Sequence, residues 1–285
     1  MPATIIDGKA LAAKLKENVR AEAAALKRRP GLAVVLVGDN PASRVYVTSK
    51  RRDCEECGFY SEEYALPGET TQEELLKLVE ELNGREEIDG ILVQLPLPKG
   101  LDEKQVLLAI DPNKDVDCFH PFNVGQLTIG EPVFQPCTPG GVMEMLREYG
   151  IDPAGKRCVV LGRSNIVGKP MGMLLLHANG TVVTCHSKTP DMAQLAASAD
   201  ILVSAVGKRG LVTGDMVKEG AVVIDVAMNR DDAGKLCGDV CYEQAAAKAS
   251  YITPVPGGVG PMTRAMLMKN TLTAAKLHLG SAFSL

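Results

Sequence analysis

Apolar and polar positions alternate along this chain in two periods. Short apolar runs of four to seven residues are separated by longer segments in which apolar residues recur at helical spacing. In the first half, the apolar runs predict strands at Leu32–Val37 and Gly90–Leu95, and a short strand is expected between them at Tyr60–Leu66. The longer segments predict helices at Asp7–Leu26, Ser43–Cys57 and Thr71–Leu82. This β-α-β order favours an α/β fold with a parallel sheet covered on both faces.

The second half repeats the pattern with four more apolar runs at regular intervals. These predict strands at Cys158–Leu161, Thr181–Cys185, Ile201–Ser204 and Ala221–Asp225. A helix is expected to open at Thr138, as its N-cap or entry residue, and to run to about Tyr149. Residues 111–138 are interpreted as a long loop. A last helix, Arg264–Leu277, is expected to pack on the first domain. The predicted domains are therefore residues 1–138 with 262–285, and residues 139–261.

The segment Thr253–Thr263 combines three prolines with three glycines, a composition that fits neither a regular helix nor a strand. We therefore expect an irregular loop. Such a loop exposes its main chain at close range and suits contact with a flat ligand or a phosphate. A simple domain connector is the alternative.

Composition narrows the class of protein. The 285 residues carry a net charge of −4, which gives no sign of nucleic-acid binding. No apolar run approaches the ~20 residues of a membrane span, and the first residues lack a signal-peptide core. Eight scattered cysteines favour reduced thiols in a cytoplasmic protein. The single pair Cys54 and Cys57 has no second pair at zinc-site spacing, so no metal is expected.

The segment Gly162–Gly168 follows a predicted strand and opens a helix, in a relative of the dinucleotide fingerprint. Gly162 would form the turn, and the small Ser164 would let a phosphate approach the helix N-terminus. Arg163 lies in this turn, and the residues after the next strand include no acid that would hold a ribose hydroxyl. NADP is therefore favoured over NAD. The alternative is that Arg163 and His186 are ordinary surface residues.

Candidate catalytic residues lie in the first half. Tyr46 and Lys50 are four residues apart and share one face of a predicted helix. Gln94 lies at the carboxyl end of a buried strand, where open α/β sheets bind ligands. Asp117 lies in the loop just before His120. A lysine that is partly buried or near other cations can exchange protons near neutral pH. The alternative is that Lys50 belongs to a solvated basic edge.

Several motifs occur in a fixed order: Tyr46–Lys50, Gly90–Pro98, Lys114–Asp117, Pro136–Pro139, Gly162–Gly168 and Thr253–Thr263. Together they resemble the bifunctional methylenetetrahydrofolate dehydrogenase/methenyltetrahydrofolate cyclohydrolase family, over essentially the whole chain. The resemblance implies two α/β domains flanking a cleft, the second a Rossmann-type dinucleotide-binding domain. It also implies a tetrahydrofolate substrate, NADP as cofactor, a homodimer, and no nucleic-acid or membrane partner.

The resemblance implies roles for individual residues. Lys50 would be the acid/base group, with Tyr46 against the folate ring, Gln94 assisting Lys50 and Asp117 holding the pterin. The folate pocket would be lined by Val93, Leu95, Pro256, Gly257, Gly258, Val259 and Gly260. The cofactor would contact Gly162, Arg163, Ser164, Ser187, Met228 and Thr138.

Three positions depart from the usual family pattern. Cys118 stands where glycine is usual after Asp117, so a positive φ there would strain the loop. Arg209 and Ala227 also replace the usual residues. Two other functions remain open: an NADP-dependent oxidoreductase similar to shikimate dehydrogenase, and a cofactor-binding regulatory protein without turnover.

Overall fold

The computed structural model describes residues 2–280, which form two compact units. The strands are β1 Thr4–Ile5, β2 Gly31–Val37, β3 Tyr60–Leu66, β4 Gly90–Val93, β5 Arg157–Leu161, β6 Thr181–Cys185, β7 Ile201–Ser204, β8 Val222–Asp225, β9 Asn229–Arg230, β10 Leu236–Cys237 and β11 Tyr251–Ile252. The helices are α1 Gly8–Ala24, α2 Pro41–Cys57, α3 Gln72–Asn83, α4 Glu103–Ala109, α5 Pro121–Ile129, α6 Cys137–Glu148, α7 Gly168–His177, α8 Met192–Ala197, α9 Tyr242–Ala246 and α10 Val259–His278.

One unit comprises Ala13–Cys137 and the described residues from Arg264 onward. Its three strands are parallel in the order β3-β2-β4. Every residue of β2 is buried, as expected for a central strand covered on both faces. On one face, β2 packs against α10 through Leu36, Met266 and Leu267; on the other, Val35 packs with Leu75 and Val79 of α3.

The other unit comprises the described residues up to Ala12 and Thr138–Thr263. Its main sheet has six parallel strands, in the order β1-β11-β8-β7-β5-β6, and the short strands β9 and β10 form a separate antiparallel pair. The loops after β5, β7 and β8 therefore leave the same edge of the sheet, which is the edge where doubly wound sheets bind ligands. The parallel α/β fold class predicted from the sequence is confirmed for both units.

The N-terminal residues do not follow the predicted domain boundary. β1 pairs with β11 through Thr4 and Tyr251, and Tyr149 Oη donates a 3.1 Å hydrogen bond to the Ile5 carbonyl. These contacts place the described residues up to Ala12 in the unit that contains Thr138–Thr263. A two-residue strand is too short to have a detectable hydrophobic period, so this pairing could not be read from the sequence. Residues 281–285 of the predicted first domain lie outside the described residues.

Residues 111–138, predicted to be a loop, contain helix α5, so the loop prediction was wrong. The His120 side chain caps the helix by accepting the Phe122 amide at 3.1 Å, and Pro121 occupies the first helical turn. Gly130 ends the helix in the left-handed region. These cap residues were a readable signal, but the short apolar pattern between them concealed it.

Two helices begin earlier than predicted. α6 begins at Cys137, so Thr138 lies inside its first turn instead of capping it. α10 begins at Val259, so the last five residues of the Thr253–Thr263 segment are helical. Pro261 is compatible with this first turn because the leading amides of a helix have no intrahelical acceptor.

Candidate active site

Lys50 is held against the carboxyl end of β4. Its ammonium group donates a 2.9 Å hydrogen bond to Oε1 of Gln94. The Gln94 side-chain amide in turn donates to the Leu95 carbonyl at 2.8 Å, so its carbonyl oxygen must face Lys50. The Gln94 main-chain amide donates to Val35 of the central strand. The structure therefore fixes Gln94 from two directions.

Burial lowers the pKa of Lys50 from its ordinary value. Asp117 is the strongest opposing influence, with smaller ones from Cys137 and Cys54, while the positive charge of Arg264 adds to the lowering. Burial dominates because an ammonium ion loses more hydration there than these neighbours return. Tyr46 lies one turn before Lys50 on α2, and both side chains are half-buried. This arrangement places an amine with a lowered pKa one helical turn from a phenol ring.

Asp117 lies in a turn organised by the buried carboxylate of Asp115. Asp115 accepts the amides of Phe119 at 3.1 Å and His120 at 2.8 Å, and the side-chain amide of Asn123 at 2.8 Å. Burial raises the pKa of Asp115. The turn therefore presents Asp117, which is half-buried, from a fixed backbone.

Cys118, next to Asp117, has a φ of 62°. The sequence analysis expected strain if this position took positive φ, and that condition is met. The Cys118 side chain is fully buried, and its thiol donates to the Phe134 carbonyl at 3.3 Å. The buried side chain and its hydrogen bond offset part of the cost of about 1–2 kcal/mol for a left-handed residue other than glycine.

Cys137 was not among the predicted site residues, yet its buried thiol donates to the carbonyl of Val116, the residue before Asp117, at 3.4 Å. Burial raises its pKa well above the ordinary value, and the Asp117 charge adds to the effect. Asn270 on α10 fixes the backbone near Asp117 and Cys137, because its side-chain amide donates to the carbonyls of Val116 at 2.7 Å and Gln135 at 2.8 Å. The position of Cys137 in the motif Pro136–Pro139 was the only signal in the sequence.

Val93 and Leu95, predicted to line the folate pocket, flank Gln94. Val93 ends β4 and is buried, whereas Leu95 is half-buried and precedes a cis peptide bond to Pro96. The structure thus brings together Tyr46, Lys50, Val93, Gln94, Leu95 and Asp117 in one unit.

In the other unit, the turn Gly162–Gly168 leaves β5 at the carboxyl edge of its sheet. Gly162 has a φ of 117°, and a Cβ there would lie 2.4 Å from the Ala205 carbonyl oxygen. A Cβ on Gly168 would lie 2.3 Å from the Gly162 carbonyl oxygen. Only glycine therefore fits at either position, as expected of a dinucleotide turn.

This turn has the donors that a dinucleotide needs. Arg163 and Ser164 are exposed, and the Ser164 hydroxyl accepts the amides of Val167 and Gly168 at 3.2 Å each. The first turn of α7 carries no acidic residue. A cation, a hydroxyl and a helix N-terminus around a glycine cradle fit a phosphorylated cofactor.

The remaining predicted cofactor residues also lie in this unit. Ser187 is exposed in the turn after β6, where Thr189 Oγ1 accepts the His186 amide at 2.9 Å. Met228 follows β8 and is 44% exposed. Thr138 is half-buried in α6, and its hydroxyl hydrogen-bonds with that of Thr263 at 2.9 Å.

In the predicted substrate segment Pro256–Gly260, the surroundings of the glycines differ. Gly258 and Val259 are buried, and a Cβ on Gly258 would lie 2.5 Å from the Pro254 carbonyl oxygen. Gly257 has a φ of 106° and its carbonyl accepts the Lys9 amide at 3.0 Å. A Cβ on Gly260 would lie 3.8 Å from the Met228 sulfur. Gly258 is thus required by packing, whereas Gly260 adjoins a predicted cofactor residue.

Comparison with known families gives two adjacent matches. Residues 6–117 match the tetrahydrofolate dehydrogenase/cyclohydrolase catalytic domain, and residues 136–279 match the NAD(P)-binding domain of the same family. The bifunctional protein FolD of Acetivibrio thermocellus is 60% identical over 281 residues, which cover 98% of this chain and 99% of that protein.

Solved structures of proteins in the same family superpose closely on this chain. The bifunctional FolD enzyme of Campylobacter jejuni superposes with a TM-score of 0.95 at 51% identity, covering 96% of this chain and 99% of that one. The Trypanosoma brucei methylenetetrahydrofolate dehydrogenase-cyclohydrolase, solved with NADP and an inhibitor, has a TM-score of 0.93 at 46% identity, covering 97% and 98%.

Proposed function

The chain belongs to the tetrahydrofolate dehydrogenase/cyclohydrolase family, and on that premise we propose that it oxidises 5,10-methylenetetrahydrofolate with NADP and hydrolyses the methenyl product to 10-formyltetrahydrofolate. The observation that carries the proposal is the hydrogen bond from Lys50, whose pKa is lowered by burial, to the fixed carbonyl oxygen of Gln94. Membership of this family removes the reason to prefer the alternative resembling shikimate dehydrogenase.

In the dehydrogenase step, the residues of the chain bind and orient the reactants. A bound NADP supplies the hydride acceptor. Gly162, Arg163, Ser164, Ser187, Met228 and Thr138 are the residues proposed to hold it. Asp117 would accept hydrogen bonds from the amino group and ring nitrogen of the pterin, since an ionised carboxylate offers only acceptors. Tyr46 and the main chain at Val93, Leu95 and Pro256–Gly260 would position the rest of the folate.

In the cyclohydrolase step, Lys50 carries the proton. Water adds through oxygen to the cationic methenyl carbon, and the neutral Lys50 amine takes one of its protons. The bond from this carbon to one folate nitrogen then breaks as the hydroxyl on the carbon loses its remaining proton to solvent and becomes the formyl oxygen. The Lys50 ammonium returns its proton to that nitrogen. A lowered pKa favours both halves, because the amine must be free to accept and the ammonium able to donate near neutral pH.

NADP is proposed in preference to NAD on the basis of charge. Arg163 lies in the phosphate turn, and the residues after β6, from His186 to Lys188, offer a hydroxyl and a lysine but no acid. A guanidinium matches a 2′-phosphate in charge and geometry. An acidic residue that would hold an unphosphorylated ribose is not present in this turn.

A spectrophotometric assay of the purified protein tests the function directly. Methylenetetrahydrofolate is supplied with NADP or, separately, NAD, and reduced cofactor is compared with methenyl product after acid quenching. We expect reduction mainly of NADP, with little methenyl compound before quenching. No reduction with either cofactor would contradict the dehydrogenase proposal. Methenyl compound that accumulates in step with reduced cofactor would contradict the cyclohydrolase proposal, and folate binding without turnover would indicate a regulatory protein.

The family resemblance also leads us to propose that the protein works as a cytoplasmic homodimer. Light scattering at micromolar concentration tests the assembly, and a monomer mass at all concentrations would contradict it. None of the helices within residues 2–280 is long and apolar enough to cross a membrane.

A further inference from the structure

Helix α2 is held by ion pairs to two other helices, one turn beyond Lys50. Asp53, three residues after Lys50 and on the same side of the helix, is 3% exposed and receives two cations from other helices. Lys16 of α1 reaches its Oδ1 at 2.7 Å, and Arg264 of α10 reaches its Oδ2 at 2.8 Å. A nearly buried carboxylate with two partners is costly to disrupt, because removing its cations leaves an uncompensated charge.

Arg264 makes the more direct connection to the candidate acid/base group. The same guanidinium nitrogen also donates to the carbonyl of Ser49, the residue before Lys50, at 3.5 Å. The Arg264 side chain is 31% exposed. It therefore holds the backbone on both sides of Lys50, through Ser49 and Asp53.

We propose that Arg264 is a positioning residue for Lys50, because it fixes the rotation of α2 at which the Lys50 amine meets Gln94. This inference rests on the proposed cyclohydrolase function, and it assigns a task to a residue that touches neither folate nor cofactor in the proposed mechanism. Positioning matters because a displacement of about 1 Å in a catalytic group can cost roughly 100-fold in rate.

The charge of Arg264 has a second consequence for Lys50. The groups that act on the Lys50 amine are Asp117 from its turn, Cys137 from the start of α6, Cys54 on α2 itself, and Arg264 from α10. Burial is the largest cause of the lowered pKa of Lys50, and Arg264 lowers it further. Removing this cation makes the Lys50 ammonium easier to form, so its pKa should rise.

The chain offers a matched control on the same helix. Lys276 of α10 also forms an ion pair with α1, reaching Glu22 at 2.5 Å, and its side chain is likewise 31% exposed. Lys276 makes no contribution to the Lys50 pKa among the principal ones. Lys276→Met therefore removes a cation of equal exposure and its interhelical ion pair, whose carboxylate partner is exposed, without affecting the Lys50 surroundings.

The experiment compares Arg264→Met, Arg264→Lys, Lys276→Met and the unmodified chain, each checked for folding by urea denaturation. Competitive acetylation of lysines across pH, read by mass spectrometry, gives the pKa of Lys50 without depending on turnover. We expect Arg264→Met to raise this pKa by on the order of half a unit, and Arg264→Lys and Lys276→Met to leave it unchanged. An unchanged Lys50 pKa in Arg264→Met would overturn the inference that the charge of Arg264 lowers this pKa.

Kinetics test the positioning part. We expect Arg264→Met to lower cyclohydrolase kcat by about tenfold, with NADP affinity unchanged and most of the rate restored in Arg264→Lys. An equal loss in Lys276→Met, or an unchanged kcat in Arg264→Met, would overturn it. If the unmodified chain shows no turnover, the proposed function fails, whereas the acetylation result still decides whether Arg264 acts on Lys50.

Discussion

The amine of Lys50 and the side-chain oxygen of Gln94 are 2.9 Å apart, although 44 residues separate them in sequence. The acceptor is an uncharged amide oxygen, whose direction is fixed by the hydrogen bond from Gln94 to Leu95. Such an acceptor orients the amine without the strong stabilisation of the ammonium form that a carboxylate would provide. The pair therefore holds Lys50 in place while leaving its pKa low.

Gln94→Glu tests this relationship with an almost isosteric change. A carboxylate at 2.9 Å favours the Lys50 ammonium, so the pKa of Lys50 should rise. The pH at which cyclohydrolase activity appears should then move upward, and activity at pH 7 should fall by roughly 10- to 100-fold. The measurement is the pH profile of kcat for methenyl hydrolysis. A downward move of the profile would contradict the interpretation.

Lys50→Met removes the proton carrier and keeps most of the side-chain volume. We expect cyclohydrolase activity to fall by at least ~100-fold, the scale of a lost acid/base group. NADP affinity should be unchanged, because the proposed cofactor residues lie in the other unit. Single-turnover hydrolysis and NADPH fluorescence titration measure the two effects. Hydrolysis near the rate of the unmodified protein would show that another group transfers the proton.

Gly162→Ala should weaken NADP binding by at least about tenfold. Its φ of 117° and the 2.4 Å approach to Ala205 leave no space for a methyl group, so the turn must move at a cost of about 1–3 kcal/mol. Gly172→Ala is the control within α7, since the nearest atom to its Cβ would be 3.5 Å away. That control should bind NADP normally and gain roughly 0.5–1 kcal/mol of stability. Equal NADP affinity in the two variants would argue against the proposed cofactor turn.

Cys118 allows a test of backbone strain. At an ordinary buried position, truncation to glycine is worse than truncation to alanine by about 1 kcal/mol. At φ of 62°, glycine relieves a left-handed cost of about 1–2 kcal/mol that alanine retains. We therefore expect Cys118→Gly to be at least as stable as Cys118→Ala in urea denaturation. The usual order, with alanine clearly more stable, would show that the loop relaxes around a side chain.

Asp89 should be essential to the stability of the unit that contains Ala13–Cys137. It is fully buried and accepts hydrogen bonds from Arg28 at 2.6 and 2.7 Å, from the Gly31 amide at 2.8 Å, and pairs with His278 at 2.8 Å. Burial acts to raise its pKa, but these partners outweigh burial and leave the pKa lowered. Asp89→Asn should cost about 3–5 kcal/mol of unfolding free energy at pH 7.

The contribution of Asp89 to the free energy of unfolding should change with pH in a defined direction. Because the folded-state pKa of Asp89 is lowered, its contribution is present above the unfolded value near 3.9 and is lost as pH falls through the folded value. The stability difference between Asp89→Asn and the unmodified protein should therefore shrink only below about pH 4. Glu22→Gln, which affects an exposed ion pair, should cost less than about 1 kcal/mol. A similar cost in both variants would contradict the role assigned to Asp89.

Much of the fold could be predicted because its signals are local. The observed bounds of β7 are those predicted from its apolar run, since a buried parallel strand needs nearly continuous hydrophobic residues. The bounds of β3 and β6 also agree with the prediction. The turn at Gly162 was readable for a similar reason, because its glycines follow a strand directly. By contrast, β1 has two residues and is a strand only through its pairing with β11, so no window of sequence could reveal it.

The sequence by itself determined the parallel α/β architecture and the candidate groups Lys50, Gln94 and Asp117, because strand periods and functional motifs are properties of short segments. Only the tertiary structure decided what surrounds the Lys50 amine. Cys137, Asn270 and Arg264 come from distant segments, and their effect depends on distances of a few ångströms that folding sets. A pKa depends on burial and neighbouring charge, and both exist only once those segments have packed together.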